Sequence, residues 1–180
     1  MVGNLTEVLV VDDFMWPSLL DWVSALYLIV PIYCTNGAPV IFGGGGPIDF
    51  GRSLKDGERI FGDHKTVLGF ASGVIVGITV GLFEGYLFSW SLLPVAVLAS
   101  VGALLGDLGG AFLKRRLGIK PGGPLPGLDQ LDFVIGAVLA VSAIAQISLG
   151  SLVILFLVTP PIHFLTNVGA YGLGLKSTYW

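Results

Sequence analysis

Residues 106–132 read GDLGGAFLKRRLGIKPGGPLPGLDQLD. One acid, Asp107, closes a long apolar run, and a basic cluster, Lys114, Arg115 and Arg116, follows one to two turns later. Lys120 and a Pro/Gly loop come next, and Asp129 and Asp132 then open a second apolar run. With a helix on either flank, the loop returns the second pair of acids to the level of the first. At about 1.5 Å per residue, Asp107 lies about 10 Å along the axis from Lys114, below the cations and towards a bilayer. Carboxylates and cations then meet at a membrane edge. That is the charge inventory that holds a divalent ion and a polyphosphate beside a lipid.

The flanking runs are typical of the whole chain. Its 180 residues are 54% hydrophobic and 12% charged, with a mean hydropathy of +0.87. A soluble domain carries about twice that charged share, so an integral membrane protein is expected. The net charge of −3 argues against bulk nucleic-acid binding. Cys34 is the only cysteine, which excludes an internal disulfide. The first fifteen residues hold Glu7, Asp12 and Asp13 but no Lys or Arg, unlike the basic start of a cleavable signal peptide, so none is expected.

The apolar runs predict an all-α integral membrane protein, a single membrane-embedded domain over 1–180. Five transmembrane helices are expected, at about 16–42, 67–86, 91–113, 131–148 and 151–174. Pro31 and the Asn36–Pro39 stretch are expected to kink or break the first, and Pro160-Pro161 to distort the fifth. In the second, Gly69, Gly73, Gly77 and Gly81 recur every fourth residue and form one face for close helix packing. Two long loops, 43–66 and 114–130, connect these spans. All nine Lys and Arg fall in those loops or after the fifth span, at Lys176. The positive-inside rule then puts the loops and the C-terminus in the cytoplasm and the N-terminus outside.

The chemistry-bearing residues follow from that layout. Asp107, an acid inside a span, is a functional candidate by its cost alone, or a structural ion pair with Lys114 or Arg115. Asp129 and Asp132 share a helix face and either favour a helix N-terminus or join Asp107 as three oxygen ligands suited to Mg²⁺. Lys114, Arg115 and Lys120, set between those acids, are placed to clamp phosphates. Arg52, Lys55, Arg59 and Lys65 could complete a nucleotide pocket, with Asp49, Asp63 and Thr66 in the same loop; some of these cations could equally set topology or meet anionic headgroups. The Gly43–Gly46 run is not a P-loop. His163 and Asn167, one turn apart, could bond a substrate or each other. Ser-His-acid and Cys-His arrangements are missing, which favours metal-assisted phosphate chemistry over a protein nucleophile. A small channel or transporter, or a structural membrane subunit, is the alternative reading of the same residues.

Gly106-Asp107-Leu108, Lys114-Arg115, Gly118, Lys120, Pro126-Gly127 and Leu128-Asp129 through Asp132 resemble the signature of phosphatidate cytidylyltransferases. Ala111, Pro121 and Gln130 depart from it. The rest of the chain is similar to archaeal CDP-archaeol synthases, through Asn36–Pro39, Pro47–Gly51, Gly62–Thr66 and the ending His163–Leu175. This resemblance implies an all-helical, Mg²⁺-dependent membrane enzyme. CTP and 2,3-bis-geranylgeranylglycerol 1-phosphate, a prenylated glycerol phosphate lipid, would react to give CDP-archaeol and pyrophosphate. It implies metal-linked roles for Asp107, Asp129 and Asp132, a cell-membrane location and a cytoplasmic active site. Homo-oligomerisation is left open.

Overall fold

The structure, a computed structural model, describes residues 17–178. The acidic lead with Glu7, Asp12 and Asp13, and the expected span start at Trp16, lie outside the described residues. Five α-helices follow in order: α1 (Leu19–Phe42), α2 (Val67–Leu87), α3 (Leu93–Arg116), α4 (Leu128–Val141) and α5 (Leu149–Gly172), with a short 3-10 turn, Trp90–Leu92, leading into α3. Among the described residues there is no strand; the 43–66 loop carries two isolated antiparallel bridges, Pro47 with Thr66 and Ser53 with Arg59. Four segments are long and apolar enough to cross a membrane: α1, α2, the turn plus α3, and α5. The protein is thus an all-helical integral membrane protein.

Several local expectations are corrected. α1 runs through Asn36–Pro39 to Phe42 without the expected break, and α5 is likewise continuous through Pro160 and Pro161. Neighbouring helices in a membrane hold such turns in place where an isolated helix would break. α3 continues to Arg116, so Lys114, Arg115 and Arg116 are its last turn rather than the start of a loop. Gly118 then takes a left-handed conformation (φ 71°), with its N–H on the Arg115 carbonyl (3.0 Å) and the Ile119 N–H on that of Lys114 (3.0 Å). That hydrogen-bonded cap ends the helix. α4 starts at Leu128, so Asp129 is helical, and it stops at Val141, seven residues short of the expected 148.

Small residues set the packing. On α2 the buried residues are Gly69, Gly73, Gly77, Gly81, Glu84 and Gly85, so the expected glycine face is the contact face. A Cβ on Gly77 would stand 2.4 Å from Ser100 and Thr35, and one on Gly73 would stand 2.7 Å from Leu104. α3 and α4 approach as closely: a Cβ on Gly102 would meet the Gly136 carbonyl at 2.5 Å, and one on Gly106 the Asp132 carbonyl at 2.2 Å. Without an apolar driving force between helices in lipid, such backbone approach is what holds neighbours together. Larger side chains, Leu28, Ile32, Val95, Phe133, Val134, Val141, Ile154 and Leu155, fill the core between α1, α3, α4 and α5.

The same contacts give helix directions. As α2 descends from Gly73 to Gly81 its partner on α3 recedes from Leu104 to Ala96, so the two are antiparallel. Gly102 meets Gly136 and Ala140 while Gly110 meets Asp132, so α3 and α4 are antiparallel as well. Asp21 near the start of α1 meets Ser148 and Ser151 at the start of α5, and the Tyr33 hydroxyl donates to the Thr159 carbonyl (3.3 Å) further along. α1 and α5 therefore run parallel. The 43–66 loop, the 117–127 loop and the C-terminal tail all collect at one end.

Candidate active site

That end of the bundle is where the charged residues meet. Asp107 faces the 43–66 loop, and the Lys65 ammonium donates to both of its oxygens at 2.6 Å. Lys114, two turns beyond Asp107 on α3, reaches across to Asp129 on α4 at 2.8 Å. Asp129 also accepts from the Leu125 N–H (2.8 Å), which ties it to the loop before α4. Asp132 lies deeper, 9% exposed, packed against α3 where Gly106 and Gly110 leave room for it. A Cβ on Gly110 would fall 1.9 Å from its Oδ2. Asp107, Asp129 and Lys65 all lie within electrostatic reach of that buried carboxylate. So Asp107 on α3 and Asp129 and Asp132 on α4 lie at the same end of the bundle, Asp129 on the helix rather than in the expected loop, and Lys65 and Lys114 pair with two of the three.

The 43–66 loop is shaped by a second buried acid. Asp49, 4% exposed, accepts from the Gly51, Phe61 and Gly62 N–H groups (3.1, 3.0 and 3.0 Å) and pairs with the Arg59 guanidinium, which also holds Asp63 at 2.6 Å. Burial alone would raise the Asp49 pKa, but Arg59 and the three N–H donors outweigh it and hold the carboxyl well below its ordinary value. Thr66 caps α2: its hydroxyl accepts from the Gly69 N–H (3.1 Å) and from the Gly44 N–H (3.2 Å), fastening the glycine run to the helix start. Asp49, Arg59, Asp63 and Thr66 thus build the loop, while Arg52, Lys55 and Lys120 stand exposed around it.

Two arginines of α3 behave differently. Arg116 clamps the loop: it pairs with Asp56, donates to the carbonyls of Glu58 (3.2 Å) and Arg59 (2.6 Å), and lies 5.2 Å over the Phe112 ring. Sequence reasoning gave Arg116 no separate role, and nothing in the sequence distinguished it from its neighbours. Arg115 is 2% exposed, and its Nε and Nη1 have no hydrogen-bond partner among the described residues. Nη1 lies near Gly62, beneath the loop. A buried guanidinium so short of acceptors is suited to an anion.

α5 and its tail bring together His163 and Asn167, expected to bond a substrate or each other, and Lys176, used in the sequence only for topology. The His163 ring lies tilted, 5.7 Å between centroids, on Phe133 of α4, the Asn167 Nδ2 lies 3.3 Å from His163 Nδ1, and the Lys176 ammonium donates to the side-chain Oδ1 of Asn167 at 2.9 Å. Lys176 feels Asp107, Asp129, Lys65 and Lys114. The signal was present: it is the sole Lys, Arg, Asp or Glu after Asp132.

The donors for Mg²⁺ are of the right kind, since carboxylate oxygens are the ligands that ion prefers. Among the described residues, Asp132 accepts only from the Phe133 N–H (2.7 Å), leaving a buried carboxylate under-satisfied. Yet no three His, Cys, Asp or Glu side chains among the described residues are gathered as a metal-holding group. Lys65 and Lys114 neutralise Asp107 and Asp129 instead. The carboxylates are thus of the chemistry an Mg²⁺ ion takes, with two of the three held by lysines.

Comparison with known proteins adds to this geometry. Residues 18–180 match a family model described as CarS-like, CDP-archaeol synthase. The chain is 47% identical over 163 residues to a CDP-archaeol synthase of Pyrococcus abyssi, covering 87% of this chain and 97% of that one. It is 41% identical over 170 residues to one from Methanocaldococcus jannaschii, covering 87% and 96%. A solved structure described as "Structural insight into an intramembrane enzyme for archaeal membrane lipids biosynthesis" superposes with a TM-score of 0.76 at 36% identity, over 81% of this chain and 94% of that chain.

Proposed function

The chain belongs to the CDP-archaeol synthase family, and from that premise we propose that it transfers CMP from CTP to an unsaturated archaeal ether-lipid phosphate, releasing CDP-archaeol and pyrophosphate. The observation that carries this reading is the meeting of Asp107, Asp129 and Asp132 from facing helices with Lys65, Lys114 and the buried Arg115 at one end of the bundle.

An oxygen of the lipid phosphate attacks the α-phosphorus of CTP in line. One P–O bond forms as the bond to the β-phosphate oxygen breaks, and pyrophosphate leaves. The attacking group is already ionised, so no general base is needed. Both reactants are anions, and charge repulsion is the main obstacle. Lys114, Arg115 and Lys120 neutralise the triphosphate and the departing pyrophosphate. The unfilled donors of Arg115 support its part in this. Arg52, Lys55 and Lys65 contact the nucleotide, and Asp49, Arg59, Asp63 and Thr66 act on it by fixing the loop that carries them. Mg²⁺ would be held by Asp107 and Asp132 with Asp129, and would offset phosphate charge and polarise the phosphorus.

The site faces the cytoplasm of the cell membrane in this reading, because every Lys and Arg lies at its end. Five crossings are proposed, α4 being the fourth. At about 21 Å it is shorter than a hydrocarbon core of about 30 Å. The parallel run of α1 and α5 supports it: an odd number of crossings must separate parallel spans.

The test is purified protein with Mg²⁺, each of the four nucleoside triphosphates, and ether- or ester-linked lipid phosphates. Pyrophosphate release with CTP and the ether lipid is expected. Ion flux through sealed vesicles, with no turnover of any nucleotide, would instead favour the channel reading.

A further inference from the structure

A reaction between two anions needs two anion subsites, and only one is accounted for by the loops. The triphosphate side lies towards α2, α3 and the 43–66 loop, where Arg115 and Lys65 stand. The end of α5 approaches from another flank: α5 packs on α1 and α4 and not on α2 or α3, and its tail brings Lys176 within electrostatic reach of Lys65, Asp129, Lys114 and Asp107. There Gly174 adopts a left-handed conformation (φ 72°), its N–H bonding to the Tyr171 carbonyl (3.0 Å) while the Leu175 N–H bonds to that of Ala170 (2.9 Å). This cap reverses the chain and folds the tail back along the helix. Lys176 is thereby returned to Asn167, nine residues earlier, and becomes partly buried although residues 171–175 are exposed. Asn167 in turn is held against His163, and His163 against Phe133 of α4, one residue from Asp132.

The lipid-facing surface of α5 is apolar. Leu157, Leu165, Val168 and Tyr171 are exposed on α5, the least buried of the four long helices. A prenyl chain lying along that face places its headgroup at the C-terminal end of α5. A helix C-terminus repels an anion, so a phosphate there needs cations and amide donors of its own. Burial lowers the Lys176 pKa, helped by Lys65 and Lys114 and opposed by Asp129 and Asp107. A poorly hydrated ammonium gains more from a phosphate partner than a fully solvated one.

We propose that Lys176, positioned by Asn167 and His163, binds the phosphate of the lipid substrate, from the α5 side of the acids. This rests on the proposed cytidylyl transfer and goes beyond it by dividing the site between its two substrates. It also explains why a turn-making glycine precedes the lysine. Without Gly174 the tail would continue outwards and the ammonium would leave the acids.

Steady-state kinetics of the full chain in nanodiscs, with CTP and the di-geranylgeranyl glycerol phosphate each varied, tests the division. Lys176→Met is expected to raise KM for the lipid phosphate at least about tenfold and to leave KM for CTP within about twofold. Lys176→Arg should recover most of the loss. Asn167→Ala should show the same split more weakly, and it decides the matter if Lys176→Met does not fold. A rise in KM for CTP, or no change in either constant, overturns the assignment. Wild-type protein that releases no pyrophosphate from CTP is a different failure, since it removes the reaction rather than the subsite.

Discussion

Replacing Asp107 by asparagine keeps its volume and removes its charge. The partly exposed ion pair with Lys65 is worth at most about 1 kcal/mol, so thermal stability should barely move. Activity should fall by about 10²–10³, the usual cost of losing one charge-stabilising contact in a transition state. Asp49 predicts the opposite pattern. Asp49→Ala leaves three N–H donors and Arg59 without their acceptor, about 1–3 kcal/mol for a buried group, which is read as a lower unfolding midpoint. Its carboxyl also sets an acid limit. Because the folded pKa lies below the unfolded value of about 3.9, the stabilisation is complete above about pH 4 and is lost as pH falls towards the folded pKa. Proteolysis of the 43–66 loop should therefore rise below about pH 4 in the wild type, and Asp49→Asn should be cleaved readily even at neutral pH. Sequence alone could not separate these two acids. Asp49 lies among many loop charges, and only the folded loop shows that it points inwards, whereas Asp107 stood out because it interrupts an apolar run.

Helix packing makes a contrast between neighbouring glycines. Gly106 and Gly109 both lie on α3, but a Cβ on Gly106 would stand 2.2 Å from the Asp132 backbone carbonyl, while one on Gly109 would meet nothing within 4 Å. Gly109→Ala should be neutral or stabilise by up to about 1 kcal/mol through helix propensity. Gly106→Ala must force α4 away from α3, and should lower both the unfolding midpoint and activity, since Asp132 moves with α4. Equal unfolding midpoints for the two variants would contradict this register. The α2 glycine face was legible because its spacing is regular. Gly102, Gly106 and Gly110 on α3 keep the same spacing of four and were equally legible, whereas Gly136 acquires meaning only when its run pairs with theirs. Most helix ends were legible to within a few residues, but α4 ends at Val141, seven residues before the expected 148. The break expected at Asn36–Pro39 did not occur, since local propensity yields where neighbouring helices hold the backbone.

Across the whole molecule, the asymmetry of charge in the sequence pointed to one end of the bundle, and the described charged loops do collect there. What it could not give was the sharing of cations among tasks: Arg116 fastens a loop, Arg115 is buried beneath it, and Lys176 returns from the tail. Those assignments depend on chain reversals at Gly118 and Gly174. Five crossings with a cytoplasmic site predict that, in a Cys34→Ser background, Lys120→Cys is labelled only from the cytoplasmic face and Ser89→Cys and Ala145→Cys only from the other. Labelling of Lys120→Cys and Ala145→Cys from one face would return α4 to a non-crossing helix. The most direct measurement of all follows the phosphorus atoms. CTP labelled at the α or the γ position is incubated with the prenylated glycerol phosphate and either wild-type protein or Asp107→Asn. The α label should pass into the lipid and the γ label into pyrophosphate with the wild type, and neither should move with the variant. Gamma label in the lipid, or equal transfer by the variant, would contradict cytidylyl transfer at these acids.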